Sequence, residues 1–205
     1  MPHQPDPTLR PLDHLAELAG AAGRGTSPAL VLREGTLNHN QLRQRVARLA
    51  GWLAEMVPDK GARVASWAAK GELTCLLPLA AARAGLVHVP INPLLKRAQA
   101  AHILADSGAK LLIGTGSRLA SLEPGDLPAG CAALGEAEAL AVLPLSFDYG
   151  QNQLLSTWYA GGSVVPLDFL FPKDVAKGCA KHGVTTLAAV PPLWVQLTET
   201  EWPEE

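Results

Sequence analysis

The sequence predicts an α/β protein of two β-α-β-α-β lobes with mainly parallel sheets. Three observations carry that prediction. From Lys60 onward, short apolar runs alternate with helix-length segments. Glycines close several of those segments, at Gly85, Gly108 and Gly183. The runs "ARVASWAA", "LVHVPINP" and "AKLLIG" are apolar at nearly every position. Strands covered on both faces read that way.

Taken in order, residues 1–11 form a loose leader and "DHLAELAGAAG" a short helix. "PALVLREGTLN" reads as two short strands around a turn at Glu34-Gly35. The helix "NHNQLRQRVARLAGWLAEM" follows. Asn38 is its N-cap, and Gln41 stands three residues on, the spacing of a capping box. Leu42, Val46, Leu49, Leu53 and Met56 share one apolar face, and Arg43, Arg45 and Arg48 lie on the solvated side. The first β-α-β-α-β block then runs "ARVASWAA", "GELTCLLPLAAARAG", "LVHVPINP", "KRAQAAHILADSG" and "AKLLIG". Residues 115–138 are rich in Gly, Pro and Ala and read as a loop or linker. The second block is "LAVLPLS", "QNQLLSTWYAG", "GSVVPLD", "PKDVAKGCAKHG" and "VTTLAAVPP". The expected organisation is a first lobe over 1–114, a linker over 115–138 and a second, truncated lobe over 139–205.

Composition removes several function classes. The 205 residues are 48% hydrophobic and 18% charged, a globular balance with enough chain for a real core. A net charge of -2 with no basic block argues against nucleic-acid binding. Cys75, Cys131 and Cys179 are far apart and form no metal-type spacing. They read as reduced, mostly buried thiols of a cytoplasmic protein. The first residues lack the apolar core of a signal peptide. The most apolar stretch, "LTCLLPLAAARAGLVHVPI", is broken by Pro78, Arg83, Gly85 and His88, so no transmembrane segment is expected.

Gly114 and Gly116 follow a strand, but a dinucleotide fingerprint needs a third glycine where Leu119 stands. A strand-ending turn accounts for them, and a nicotinamide-dependent enzyme has no other support. There is no GxxxxGK[ST], GxSxG or HExxH motif. The histidines are scattered. His102 has no partner at metal spacing, and His182 suits the C-terminal end of a helix dipole. Three strand ends remain of interest: "VPINP", "LPLSFDYG" and "AVPPLW". Ligands of open α/β sheets bind at such ends, and a mostly apolar slot with a few polar groups is the usual small-molecule pocket.

The same stretches carry a resemblance. The long segment from "LNHNQLRQRVARLAGWL" through "VPINP" to "DSGAKLLIG" is similar to the N-terminal portion of the AMP-forming acyl-CoA synthetase superfamily. "VLPLSFDYGQNQLLSTWYAGGSVV" and "HGVTTLAAVPPLWVQL" resemble the segment downstream of that family's phosphate loop. Their wording is closest to exosortase-associated acyl-CoA ligases. The resemblance implies an incomplete acyl-CoA ligase N-terminal domain. It implies ATP-dependent activation of a carboxylic or fatty acid to an acyl-adenylate and then an acyl-CoA, with ATP, Mg²⁺ and CoA as the complete family's cofactors.

The departures shape the functional expectation. The Ser/Thr/Gly-rich, lysine-containing phosphate loop expected between the two blocks is absent. The adenine-binding segment and the C-terminal lysine domain are missing as well. Adenylation brings two anions together, so it needs cations and N–H donors around the phosphates. No nucleotide-binding, metal or catalytic residue is therefore assigned, no cofactor is expected for this chain, and the chain alone is expected to be inactive. What the resemblance leaves is an acyl-side pocket: Phe147 at the gate, with Tyr149, Asn152, Pro192, Leu193 and Trp194 along the wall. Asp148 reads equally as a helix cap. The alternative is a non-catalytic acyl-binding or protein-interaction module. Its expected partners are a carboxylic or acyl ligand, a carrier protein or a second copy of the chain, since a lost strand would leave a sheet edge uncovered.

Overall fold

Strand β3 (Arg63–Trp67) runs inside a four-stranded parallel sheet of order β4-β3-β5-β6, with β4 at Val87–Pro90, β5 at Leu111–Gly114 and β6 at Ala132–Gly135. This computed structural model describes residues 25–135 and 148–203. Val64 lies opposite His88 on one side and Leu111 on the other, and Ser66 lies opposite Pro90 and Ile113.

The inner strands β3 and β5 are covered on both faces. Helix α1 (His39–Met56) and helix α2 (Glu72–Ala84) pack with Val64, Leu111 and Ile113. Helix α3 (Arg97–Ser107) and the short helix α4 (Gly116–Ala120) pack with Ala65, Trp67 and Leu112. Successive strand residues thus enter opposite cores, which is why these strands carry no polar face. The connection β3-α2-β4 moves outward on one side, and β4-α3-β5 returns past β3. The reversal of direction lies between the C-terminal ends of β3 and β5, where open α/β sheets leave a crevice.

Local chemistry sets the element ends. The α1 capping box forms as read from the sequence: Gln41 N donates to Asn38 Oδ1, and Asn38 N donates to Gln41 Oε1, both at 2.8 Å. On the apolar face, Leu42, Val46 and Leu53 are buried, but Met56 is exposed and Ala50 completes the buried stripe. Arg45 extends to Glu72 at 2.8 Å. Helix α2 ends at Gly85 in the left-handed region, φ 74°. A Cβ there would also lie 2.8 Å from Lys60 Cδ, whose ammonium caps Ala84 O at 2.7 Å. Both constraints select glycine. Strands β1 (Pro28–Val31) and β2 (Thr36–Asn38) pair antiparallel around the turn expected at Glu34-Gly35.

Three expectations change. Residues 115–138 are not all loop: they contain α4 and β6, and β6 pairs in parallel with β5 from Leu111↔Ala132 to Gly114↔Gly135. The sequence hid this because "AALG" is short and lacks β-branched or aromatic residues. In the second half, "GSVVPLD" contributes a single bridge, Val164 to Leu30, rather than a strand. "VTTLAAVPP" forms no strand among the described residues, because its backbone has no ladder partner there. The described second half is therefore three helices, α5 (Asp148–Tyr159), α6 (Pro172–His182) and α7 (Pro191–Thr198), joined by extended segments. The expected helix "DHLAELAGAAG" and strand "LAVLPLS" lie outside the described residues.

The second half docks on β1. Val164 N donates to Ala29 O at 2.9 Å, and Val31 N donates to Val164 O at 2.8 Å. Trp158 of α5 is 1% exposed and its Nε1 donates to Ala29 O at 2.8 Å. Leu154 and Trp158 thereby join the α1–α2 core. Trp158→Phe removes one of the two hydrogen bonds to Ala29 O while Val164 N keeps the other, and unfolding by urea is expected to show a loss of about 0.5–1.5 kcal/mol for that bond. Leu77→Ala, deep in α2, is expected to cost about 2–5 kcal/mol in the same measurement.

Candidate functional site

A cavity of about 420 Å³ lies between the two halves. One side is built from Pro28 and Val31 of β1 and Cys75 of α2. Gln153, Leu154 and Thr157 of α5 form a second side. The extended segments 163–167 and 184–188 close the rest, with Val175, Cys179 and His182 of α6. The lining is mainly apolar. Its polar groups are the hydroxyls of Thr157, Ser163, Thr185 and Thr186, the Gln153 amide and the His182 ring. Such a wall can hold an apolar group and orient it with hydrogen bonds. Among the described residues no carboxylate or ammonium lines it, and His182 is its titratable ring. Burial pushes the Cys179 thiol above its ordinary range, away from the reactive thiolate.

Close packing shapes one wall. A Cβ on Gly178 would lie 2.7 Å from Leu167 Cδ2, so the missing side chain lets α6 approach segment 163–167. Behind this wall sits Lys70, in the turn that follows β3. Its side chain is 5% exposed, and its ammonium meets Asp168 Oδ1 at 2.9 Å and Leu167 O at 3.5 Å. Burial lowers the Lys70 pKa from 10.5 to about 8, and Asp168 opposes that shift without cancelling it. Among the described lysines only Lys70 is buried. The sequence reading passed over it. Its one signal was a lysine placed directly after a parallel strand.

The expected acyl-wall residues are dispersed. Leu193 is buried in the small core of α6 and α7 with Val175, Ala189 and Leu197. Pro192 is exposed and Trp194 is 42% exposed. Asn152 is exposed on α5, where its Oδ1 accepts from Ser156 Oγ at 2.8 Å. None of these four lines the cavity. Phe147 and the side chain of Tyr149 lie outside the described residues. Helical phase explains the first result: on α7, Leu193 and Leu197 take the buried stripe and leave Trp194 outside.

The crevice between β3 and β5 is occupied by the protein itself. Arg118 donates from Nη1 to Thr115 Oγ1 at 2.9 Å and from Nη2 to Pro93 O at 2.8 Å. Its guanidinium also lies 6.0 Å from the centre of the Trp67 ring. Gly114 closes the strand end, where a Cβ would lie 2.9 Å from Leu119 Cδ2. The Gly114 and Gly116 pair is thus a tight strand-ending turn. On the outer side of the sheet, His88 Nε2 and Ser66 Oγ are hydrogen-bonded at 2.9 Å. Burial lowers the His88 pKa to about 4, so the ring is neutral near pH 7.

The family model described as AMP-binding enzyme matches this chain in two pieces, residues 19–138 and 119–205. The chain belongs to the AMP-binding enzyme family. It is 30% identical over 148 residues to the L-proline–[L-prolyl-carrier protein] ligase of Pseudomonas fluorescens, covering 72% of this chain and 28% of that relative. It is 34% identical over 103 residues to the N-(5-amino-5-carboxypentanoyl)-L-cysteinyl-D-valine synthase of Amycolatopsis lactamdurans, covering 48% of this chain and 3% of that protein. The chain thus spans less than a third of either relative's length. Its fold matches the O-succinylbenzoate coenzyme A synthetase of Bacillus subtilis in complex with AMP, with a TM-score of 0.77 at 19% identity over 95% of this chain and 65% of that one. It also matches the nonribosomal peptide synthetase FmoA3, with a TM-score of 0.79 at 19% identity over 99% of this chain and 29% of that one.

For this member of the AMP-binding enzyme family, the fit to nucleotide phosphates can be judged at the β3–β5 crevice. The cation there, Arg118, is committed to Thr115, Pro93 and Trp67, and no lysine occurs between Lys110 and Lys173. Lys70, after β3, is likewise committed to Asp168, so these two described cations are both held by internal partners. No helix among them is long and apolar enough to cross a membrane.

Lys70 yields a pH-dependent prediction. Its folded pKa lies below its unfolded one, so between about pH 8 and 10.5 the unfolded chain holds more protons. Wild-type stability from this group should rise across that window. Lys70→Met removes the cost of the buried ammonium while Asp168, 45% exposed, stays hydrated. Urea titrations should show Lys70→Met more stable by about 1–3 kcal/mol at pH 7, with the Lys70-dependent rise abolished.

Proposed function

We propose that this chain is an AMP-dependent acid ligase homologue that does not adenylate by itself and that keeps an acyl-holding cavity. The reading rests first on the family match in two pieces whose ranges overlap at 119–138. That pattern fits a chain in which the two blocks have been brought together without the lysine-bearing phosphate loop. The committed Arg118 supports the same view. In the complete family, ATP and Mg²⁺ activate the acid and CoA or a carrier receives the acyl group. In this chain we assign none of those cofactors a site.

One curated relative is named as a ligase of L-proline to a carrier protein and the other as a cysteinyl-valine peptide synthase, which supports including amino acids among the candidate acids. ATP–pyrophosphate exchange by the purified chain, with a panel of fatty, aryl and amino acids including proline, is expected to stay at background. Clear acid-dependent exchange overturns the proposal of inactivity.

A second reading is a non-catalytic acyl-binding module of the cytoplasm, acting with a carrier protein or a second copy of the chain. The observation favouring it is the cavity, apolar with hydroxyls and amide along its wall. Isothermal calorimetry with medium-chain acyl amides is expected to show micromolar-range binding, about -8 kcal/mol. Thr185→Trp, which fills the cavity, should weaken it at least tenfold. Binding unchanged in that variant would place the ligand elsewhere and remove the cavity's role.

A further inference from the structure

Lys70 sits past the C-terminal end of β3, in the turn that leads to α2. Its amine touches Leu167 O, and Leu167 and Cys75 are both cavity-wall residues. The charged and titratable groups that face the amine are Asp168, beyond the Val164 bridge, and Cys75 on α2. A buried amine against a half-exposed carboxylate has the two parts an acyl transfer to nitrogen needs. One is a nucleophile that burial keeps partly neutral, and the other is a base placed on its proton.

We propose that Lys70 is an acyl-acceptor residue that takes the acyl group of a small carboxylic–phosphoric mixed anhydride, with Asp168 receiving the proton. The Nζ lone pair attacks the carbonyl carbon and forms the C–N bond. The bond from that carbon to the phosphate oxygen breaks, and the phosphate leaves with the electron pair. The nitrogen's extra proton passes to Asp168 Oδ1 at 2.9 Å and on to water. No electrons are exchanged with an outside oxidant or reductant. The product amide is neutral, so the ion pair joining the turn after β3 to the 163–168 segment is lost. Only the choice of a mixed anhydride as donor rests on the family reading.

The expected selectivity follows from protonation. At pH 7.4 an amine of pKa about 8 is roughly 20% neutral, against about 0.1% for an ordinary lysine. Lower basicity reduces intrinsic nucleophilicity, as it does for thiols, so the net advantage is on the order of tenfold. Access is narrow, with the Lys70 side chain 5% exposed and the approach running past Asp168. A small acyl group is therefore the fitting substrate.

Acetyl phosphate is the probe, so the test is independent of any adenylating activity. The whole chain is incubated with it across pH 6.5–10, and acetylation is followed site by site by peptide mass spectrometry. Lys70 is expected to react about tenfold faster than the exposed Lys96, Lys173, Lys177 and Lys181 at pH 7.4, with a rate that levels off above about pH 8. Lys70→Arg should remove the fast phase and leave the other sites unchanged. In 8 M urea the preference should vanish. The proposal is overturned if Lys70 reacts no faster than the exposed lysines, or if its preference survives in urea.

Discussion

Burial of β3 on both faces is the constraint on which the rest of the structure depends. Its backbone pairs with β4 and β5, and its side chains enter two separate cores. A strand in that position tolerates no solvated face, so helices must cover both sides of the sheet. The crossover order follows, with α2 on one face and α3 and α4 on the other. The crevice at the direction reversal is a consequence of that order. In this chain Arg118, Thr115 and Trp67 fill it.

The second half depends on the first through a narrow strip of β1. Ala29 O accepts from both Val164 N and Trp158 Nε1, and Val31 N completes the bridge. One carbonyl thus holds an extended segment and a helix. Lys70 and Asp168 add a second tie across the same boundary. The energetics of the two ties differ. The Trp158 contact combines burial of a large aromatic ring with a satisfied hydrogen bond, whereas the Lys70 pair carries the desolvation cost of a buried ammonium. Among the described residues, segments 163–167 and 184–188 on the cavity wall share no ladder with each other.

Membership of the AMP-binding enzyme family and the character of this site pull in different directions. The overall fold agrees with adenylate-forming neighbours. At the β3–β5 crevice, Arg118 is held by Thr115, Pro93 and Trp67. The described residues also hold an apolar cavity with hydroxyls on its wall, and one buried amine with a carboxylate beside it.

Much of the first half was legible in the sequence, because local signals and tertiary demands agree there. The Asn38–Gln41 box, the glycines after α2 and α3, and the apolar runs of β3 and β5 each state their own structure. Strand β6 was not legible, since "AALG" becomes a strand only through its pairing with β5. The residues of "VTTLAAVPP" failed in the opposite sense: their β-branched pattern says strand, but a strand needs a neighbour to bond. Family wording placed Pro192, Leu193 and Trp194 on an acyl wall, yet the phase of α7 turns Leu193 inward and Trp194 outward. The sequence by itself determined the α/β class, the family and the ends of the helices, because caps, periodicity and glycine conformation are local. Only the tertiary structure decided the cavity, the Trp158 anchor and the buried Lys70–Asp168 pair, because each joins residues far apart in the chain whose contact no local pattern encodes.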